Sequence, residues 1–164
     1  MKPALPILVA CLSLGGGAAL AQSGSLMGPA SIEAGAAFSI QFGGSGQATL
    51  YISGPGQLIK RDVQLGGPAW FPAGSLGNAG HYDVFLSSPS VSESGSMDVL
   101  PADKPADLTF IAKPSRLPVA LHGAITGAVY VCDSYRNLIS KPKSVSFELS
   151  NPSSPTQTHV VQTS

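Results

Sequence analysis

"ATLYISGPGQLIKRDVQL", residues Ala48 to Leu65, holds two alternating runs on either side of a Pro-Gly turn. In the first, Ala48, Leu50 and Ile52 alternate with Thr49, Tyr51 and Ser53. In the second, Ile59, Val63 and Leu65 fall on one side, with Lys60, Asp62 and Gln64 on the other. Successive side chains of a strand point to opposite faces, so a period of two marks half-buried antiparallel strands. Gly54-Pro55-Gly56 between them is turn chemistry.

The same pattern extends in both directions. Upstream, "AFSIQF" sets Phe38, Ile40 and Phe42 against Ser39 and Gln41; downstream, "HYDVFL" does so with Tyr82, Val84 and Leu86, and "SMDVL" with Met97 and Val99. The stretches "GGSGQ", "GGP" and "SLGNAG" punctuate the runs. No segment after the N-terminal leader carries the three-to-four spacing of an amphipathic helix. An all-β sandwich is expected.

Composition agrees. Gly 19 and Pro 14 are spread through the 164 residues as turn punctuation, with no three-residue collagen period. Charged residues make up 11%, against about 25% in ordinary domains. Lys+Arg 9 balance Asp+Glu 9, so nothing in the charge points to a nucleic-acid partner.

The start, "MKPALPILVACLSLGGGAALAQ", runs from a lysine through an apolar stretch to Ala19-Leu20-Ala21. That order is a secretory signal peptide over residues 1–21, cleaved after Ala21. Gly15-Gly16-Gly17 makes the stretch too short for a stable membrane span. A competing reading takes Leu8-Val9-Ala10-Cys11 as a lipobox with Cys11 lipidated, but Cys11 precedes the end of the apolar stretch. The expected location is therefore the periplasm, the medium or the cell surface. Loss of Cys11 with the leader leaves Cys132 alone and no internal disulfide. Stability must then come from packed apolar faces.

"LPADKPAD", Leu100 to Asp107, carries three charges and two prolines after enough strands for one small sandwich. We read 22–100 as a first sandwich domain, 101–107 as a linker and 108–164 as a second domain. In the second, Leu108, Phe110, Val129, Val131, Val145, Phe147 and Leu149 resume the alternation, and "THVVQTS" follows.

Two stretches carry a family resemblance. Asn78-Ala79-Gly80-His81-Tyr82-Asp83-Val84 is similar to the D-x-G-x-Y-x-C run of immunoglobulin-like domains, with Val84 in the cysteine place. The resemblance implies that Gly80 opens a tight corner and that a buried Tyr82 hydrogen-bonds to backbone upstream. It also implies that His81 and Asp83 face solvent and that Trp70 is a core aromatic. Val129-Tyr130-Val131-Cys132-Asp133-Ser134-Tyr135-Arg136-Asn137, followed by Val145-Ser146-Phe147, resembles the V-x-V-x-D-x-x-G-N turn and V-x-F strand of bacterial invasin/intimin-type (Big-1) modules. It implies structural roles for Asp133 and Asn137. Arg136 stands where that family has Gly, which bears on the turn type. The matching stretch, roughly residues 105 to 164, is shorter than a sandwich module of about 100 residues, so the second immunoglobulin-like domain reads as incomplete.

Catalytic and metal patterns fail their structural context. Ala73-Gly74-Ser75-Leu76-Gly77 approximates a nucleophile elbow near His81 and Asp83, but an elbow needs a strand-to-helix turn and a strand follows here. His81, His122 and His159 are scattered and lack ligand spacing. Glu33, Glu93 and Glu148 are isolated, and "GGSG" lacks the residues of a phosphate loop. Cys132 reads as a small apolar filler. No catalytic, cofactor or metal site is expected.

The expected function is that of a non-catalytic exported structural, adhesion or binding module of the bacterial surface or periplasm. Its partners would be protein or polysaccharide, with strand-edge pairing to another chain as a further mode. The alternative is an N-terminal accessory module of a longer exported enzyme, including a carbohydrate-binding one, for which Tyr51, Tyr130 and Phe85 are the aromatic candidates.

Overall fold

A computed structural model describes residues 25–89, 92–113, 126–151 and 154–163. The leader with Cys11, and His122, lie outside the described residues. The protein is all-β, with twelve strands and no helix among the described residues. None of its segments there is a helix long and apolar enough to cross a membrane.

The first eight strands are β1 (Leu26–Met27), β2 (Ser31–Glu33), β3 (Phe38–Phe42), β4 (Gln47–Gly54), β5 (Gln57–Gln64), β6 (Pro68–Phe71), β7 (Gly80–Ser87) and β8 (Ser92–Leu100). They form a five-stranded sheet in the order β2-β8-β7-β4-β5 and a three-stranded sheet in the order β1-β3-β6. The β2–β8 pair is parallel and the other pairs of these two sheets are antiparallel. The alternation read from the sequence places the core: Leu50, Ile52, Val84, Leu86, Met97 and Val99 point from the larger sheet toward Phe38, Ile40, Phe42, Ala69 and Phe71 of the smaller. Two sheets thus share one apolar interior, the arrangement of a β-sandwich.

Trp70 departs from expectation. It is 66% exposed and lies outside the core. In β6 the register pairs Phe38 with Phe71 and Ser39 with Trp70, and cross-strand partners share a face. Phe38 and Phe71 stack inside, with ring centroids 4.6 Å apart, so Trp70 must point out beside Ser39. The core takes its loop-borne filler from Leu76, which is fully buried; its carbonyl accepts from Gly35 N–H at 2.7 Å.

The remaining strands are β9 (Asp107–Lys113), β10 (Thr126–Cys132), β11 (Ser144–Asn151) and β12 (Ser154–Gln162). They pair as two separate antiparallel hairpin sheets, β9 with β10 and β11 with β12. Between them lies a small cluster of Val131, Ile139 and Val145, with Val129 and Phe147 packed against it. Phe110 touches Phe147 edge-on at 5.3 Å. Leu108 and Phe110, expected to point inward, are half exposed, as is Ile111. Each hairpin sheet has two strands, too few to cover both sides of its apolar residues.

Candidate functional site: the clasp between the halves and the exposed faces

Gly80, Tyr82 and Val84 sit where β7 begins. Tyr82 and Val84 alternate into the core, and Tyr82 is fully buried. Its O–H donates to the Asn78 carbonyl at 2.9 Å, and the Asn78 amide donates to the Pro55 carbonyl at 2.8 Å. Burial raises the Tyr82 pKa above the ordinary phenol value, which keeps the proton available for donation. Gly80 has φ 144°, and a Cβ there would meet Pro55 Cγ at 2.6 Å, so both backbone and space call for glycine.

Asp133 and Asn137 build the tightest polar cluster. Asp133 follows β10, is 1% exposed, and accepts four hydrogen bonds of 2.9 Å. Oδ1 accepts from the N–H groups of Tyr135 and Asn137; Oδ2 accepts from Asn137 Nδ2 and from the N–H of Ala102. Burial alone would raise the Asp133 pKa. The Asn137 side chain and the N–H groups of Asn137, Ala102 and Tyr135 outweigh it and hold the carboxyl below the ordinary carboxylate value.

The Asn137 side chain reaches further. Nδ2 donates to the Gly77 carbonyl at 2.8 Å, and Oδ1 accepts from the Ala79 N–H at 2.8 Å. One amide thus satisfies the backbone of the loop before β7, while Asp133 holds that amide and the 101–107 segment together. Tyr135 lies against Gly35 and Gly77, where a side chain on either glycine would collide with its ring. Arg136 has φ 67°, the left-handed conformation that glycine adopts without cost. Asp103 is ion-paired to Lys141 at 3.2 Å and to Lys143, and Lys143 first and Lys141 second hold its carboxyl below the ordinary value.

The sequence singled out Asp133 and Asn137 only as parts of the second half's own turn. It did not reveal Ala102, Gly77, Ala79 or Tyr135 as their partners. The available signal was the density of turn-forming residues in Gly77–Gly80, which leaves backbone groups without strand partners.

The other candidates remain apart. His81 Nδ1 lies 2.8 Å from Asp98 Oδ1 and its Nε2 3.8 Å from Asp83 Oδ1, all on the exposed outer face of the large sheet. The hydrogen bond to Asp98 is the main reason its pKa is raised. The Ser75 hydroxyl donates to the Pro72 carbonyl at 2.6 Å within its own turn. The structure therefore gives Ser75 and His81 different partners. Cys132 is a free, half-buried thiol. Among the described residues no three His, Cys, Asp or Glu side chains converge in a way that could hold a metal ion.

Several apolar side chains stay uncovered. Leu108, Phe110, Ile111 and Tyr130 on β9–β10, and Leu149, Val160 and Val161 on β11–β12, are all exposed. An open groove of about 410 Å³ runs between the hairpins, lined in part by Leu108, Val131 and Val145. On the first half, Tyr51 and Phe85 are register partners on the outer face of the large sheet, their ring centroids 6.4 Å apart. No protein-family model matches the sequence, and no curated protein or solved structure is significantly similar to the chain.

Proposed function

We propose that the chain is a non-catalytic exported module, adhesive or structural, made of two immunoglobulin-like sandwiches joined through residues 101–107. The second sandwich is of the invasin/intimin kind and is completed by an extended strand from a second copy of the chain. The observation that carries this reading is the uncovered apolar surface of β9–β12. Strand β10 contains no charged residue and no proline. Its end at Val131–Cys132 pairs with Leu138 and Ile139, and the edge before that end, without such guards, accepts an added strand. The clasp at Asp133 and Asn137 supports a spacer role, because it ties the second half to the first and lets both present their surfaces in one orientation.

Expression with the native leader in a bacterial host tests the export. Protein recovered outside the cytoplasm and beginning at Gln22 is the expected result; a cytoplasmic product beginning at Met1 overturns it. Light scattering of the same material tests strand completion. Concentration-dependent association that Val160→Lys suppresses is expected, and a monomer at every concentration overturns that part.

A further inference from the structure

The outer face of the small sheet carries the most exposed aromatic group among the described residues. Trp70, the one tryptophan of the chain, is 66% exposed on β6. Its register partner on β3 is Ser39, and the next row across the sheet is Met27, Gln41 and Pro68. No residue of β1, β3 or β6 is charged. The nearest cation is at the rim and already engaged: Arg61 donates from Nη1 to the Trp70 carbonyl at 2.6 Å, and its guanidinium carbon lies 5.3 Å from the Phe71 ring centroid. The Trp70 backbone is thereby held while its indole stays free to face solvent.

Size and charge narrow the partner. Strands of two, five and four residues, about 4.8 Å apart and rising about 3.3 Å per residue, give a face of roughly 170 Å². That is under a third of the roughly 800 Å² a protein partner typically covers. An uncharged face of this size, with one indole beside a hydroxyl and an amide, matches a short neutral sugar chain. The C–H side of a pyranose is apolar with slightly positive hydrogens and lies on the negative face of the indole. Ser39 and Gln41 supply a donor and acceptor set for the ring hydroxyls.

We infer that the Trp70 face is a binding site for a neutral polysaccharide, with Trp70 as the stacking platform and Gln41 and Ser39 as hydroxyl partners. This deepens the reading of the chain as a non-catalytic exported binding module and rests on it.

The test uses the full chain with insoluble cellulose, chitin, xylan and mannan, and titrates its fluorescence with cellohexaose and chitohexaose. Excited beyond the tyrosine absorption band, the emission reports on Trp70, the one tryptophan. Retention on at least one polysaccharide is expected, cut about tenfold or more by Trp70→Ala with the melting temperature within about 2 °C of the parent. Trp70→Phe should retain part of the binding. If Trp70→Ala melts early, Gln41→Ala, also at an exposed position, takes its place and should weaken retention at the parental melting temperature. No retention on any of the four, or variants retained like the parent, overturns the inference and leaves the export and association tests untouched. Release of reducing sugar would instead overturn the non-catalytic reading while Trp70-dependent retention still stood.

Discussion

The side-chain oxygen of Asn137 accepts a hydrogen bond from the backbone N–H of Ala79 at 2.8 Å, across 58 positions of sequence. Through the same amide, the Gly77 carbonyl is bound at 2.8 Å and the Asp133 carboxylate at 2.9 Å. A single asparagine therefore links the turn after β10 to the loop before β7.

Asn137→Ala removes these three side-chain hydrogen bonds and leaves the loop backbone unpaired. At about 1 kcal/mol net for each bond, the loss should be about 3 kcal/mol. Urea denaturation checks it through the midpoint at constant slope. A change under about 0.5 kcal/mol, the range of an ordinary surface substitution, would show that the amide holds nothing.

Asp133 makes the clasp acid-sensitive. Its folded pKa lies below the unfolded carboxylate value of about 3.9, so folding favours the ionised form. The resulting stability is fully present above the unfolded value and disappears as the pH falls through the folded one. Melting temperatures from pH 7 down to pH 2 should fall more steeply for the parent than for Asp133→Asn. Asp103, whose carboxyl is also held low, contributes to the slope of both proteins, so the difference between them isolates Asp133. Parallel curves would refute the assignment.

Tyr82→Phe keeps the buried ring and deletes only the O–H bond to the Asn78 carbonyl. We expect a loss of about 1 kcal/mol, the worth of one net hydrogen bond. Equal melting temperatures for parent and variant would count against the corner.

Residues 105–164 expressed alone lose the Ala102, Gly77 and Ala79 partners of the clasp and keep, among the described residues, a small core of Val131, Ile139 and Val145 with Val129 and Phe147 against it. That fragment should be poorly folded or associated. A monomer with a cooperative melt would contradict this.

Much of the candidate site lay outside the reach of local pattern. Tyr82 was legible because its corner spans five residues, and the alternation around it sets which way the ring points. Trp70 was misread because "PAWF" is too short to show a phase of its own. Its direction follows from Phe71, which pairs with Phe38 more than thirty positions away. Strands β1 and β2, of two and three residues, carry no period at all and exist through their pairing with β3 and β8.

By itself the sequence determined the all-β class and the inward or outward face of β3, β4, β5, β7 and β8, because a strand's geometry forces alternate side chains to opposite sides. Only the tertiary structure decided which strands became neighbours, that Trp70 faces water, and that Asn137 fastens the two halves together. Those outcomes depend on contacts between residues far apart in the chain, where pairing register and the need to satisfy buried backbone groups outweigh any local preference.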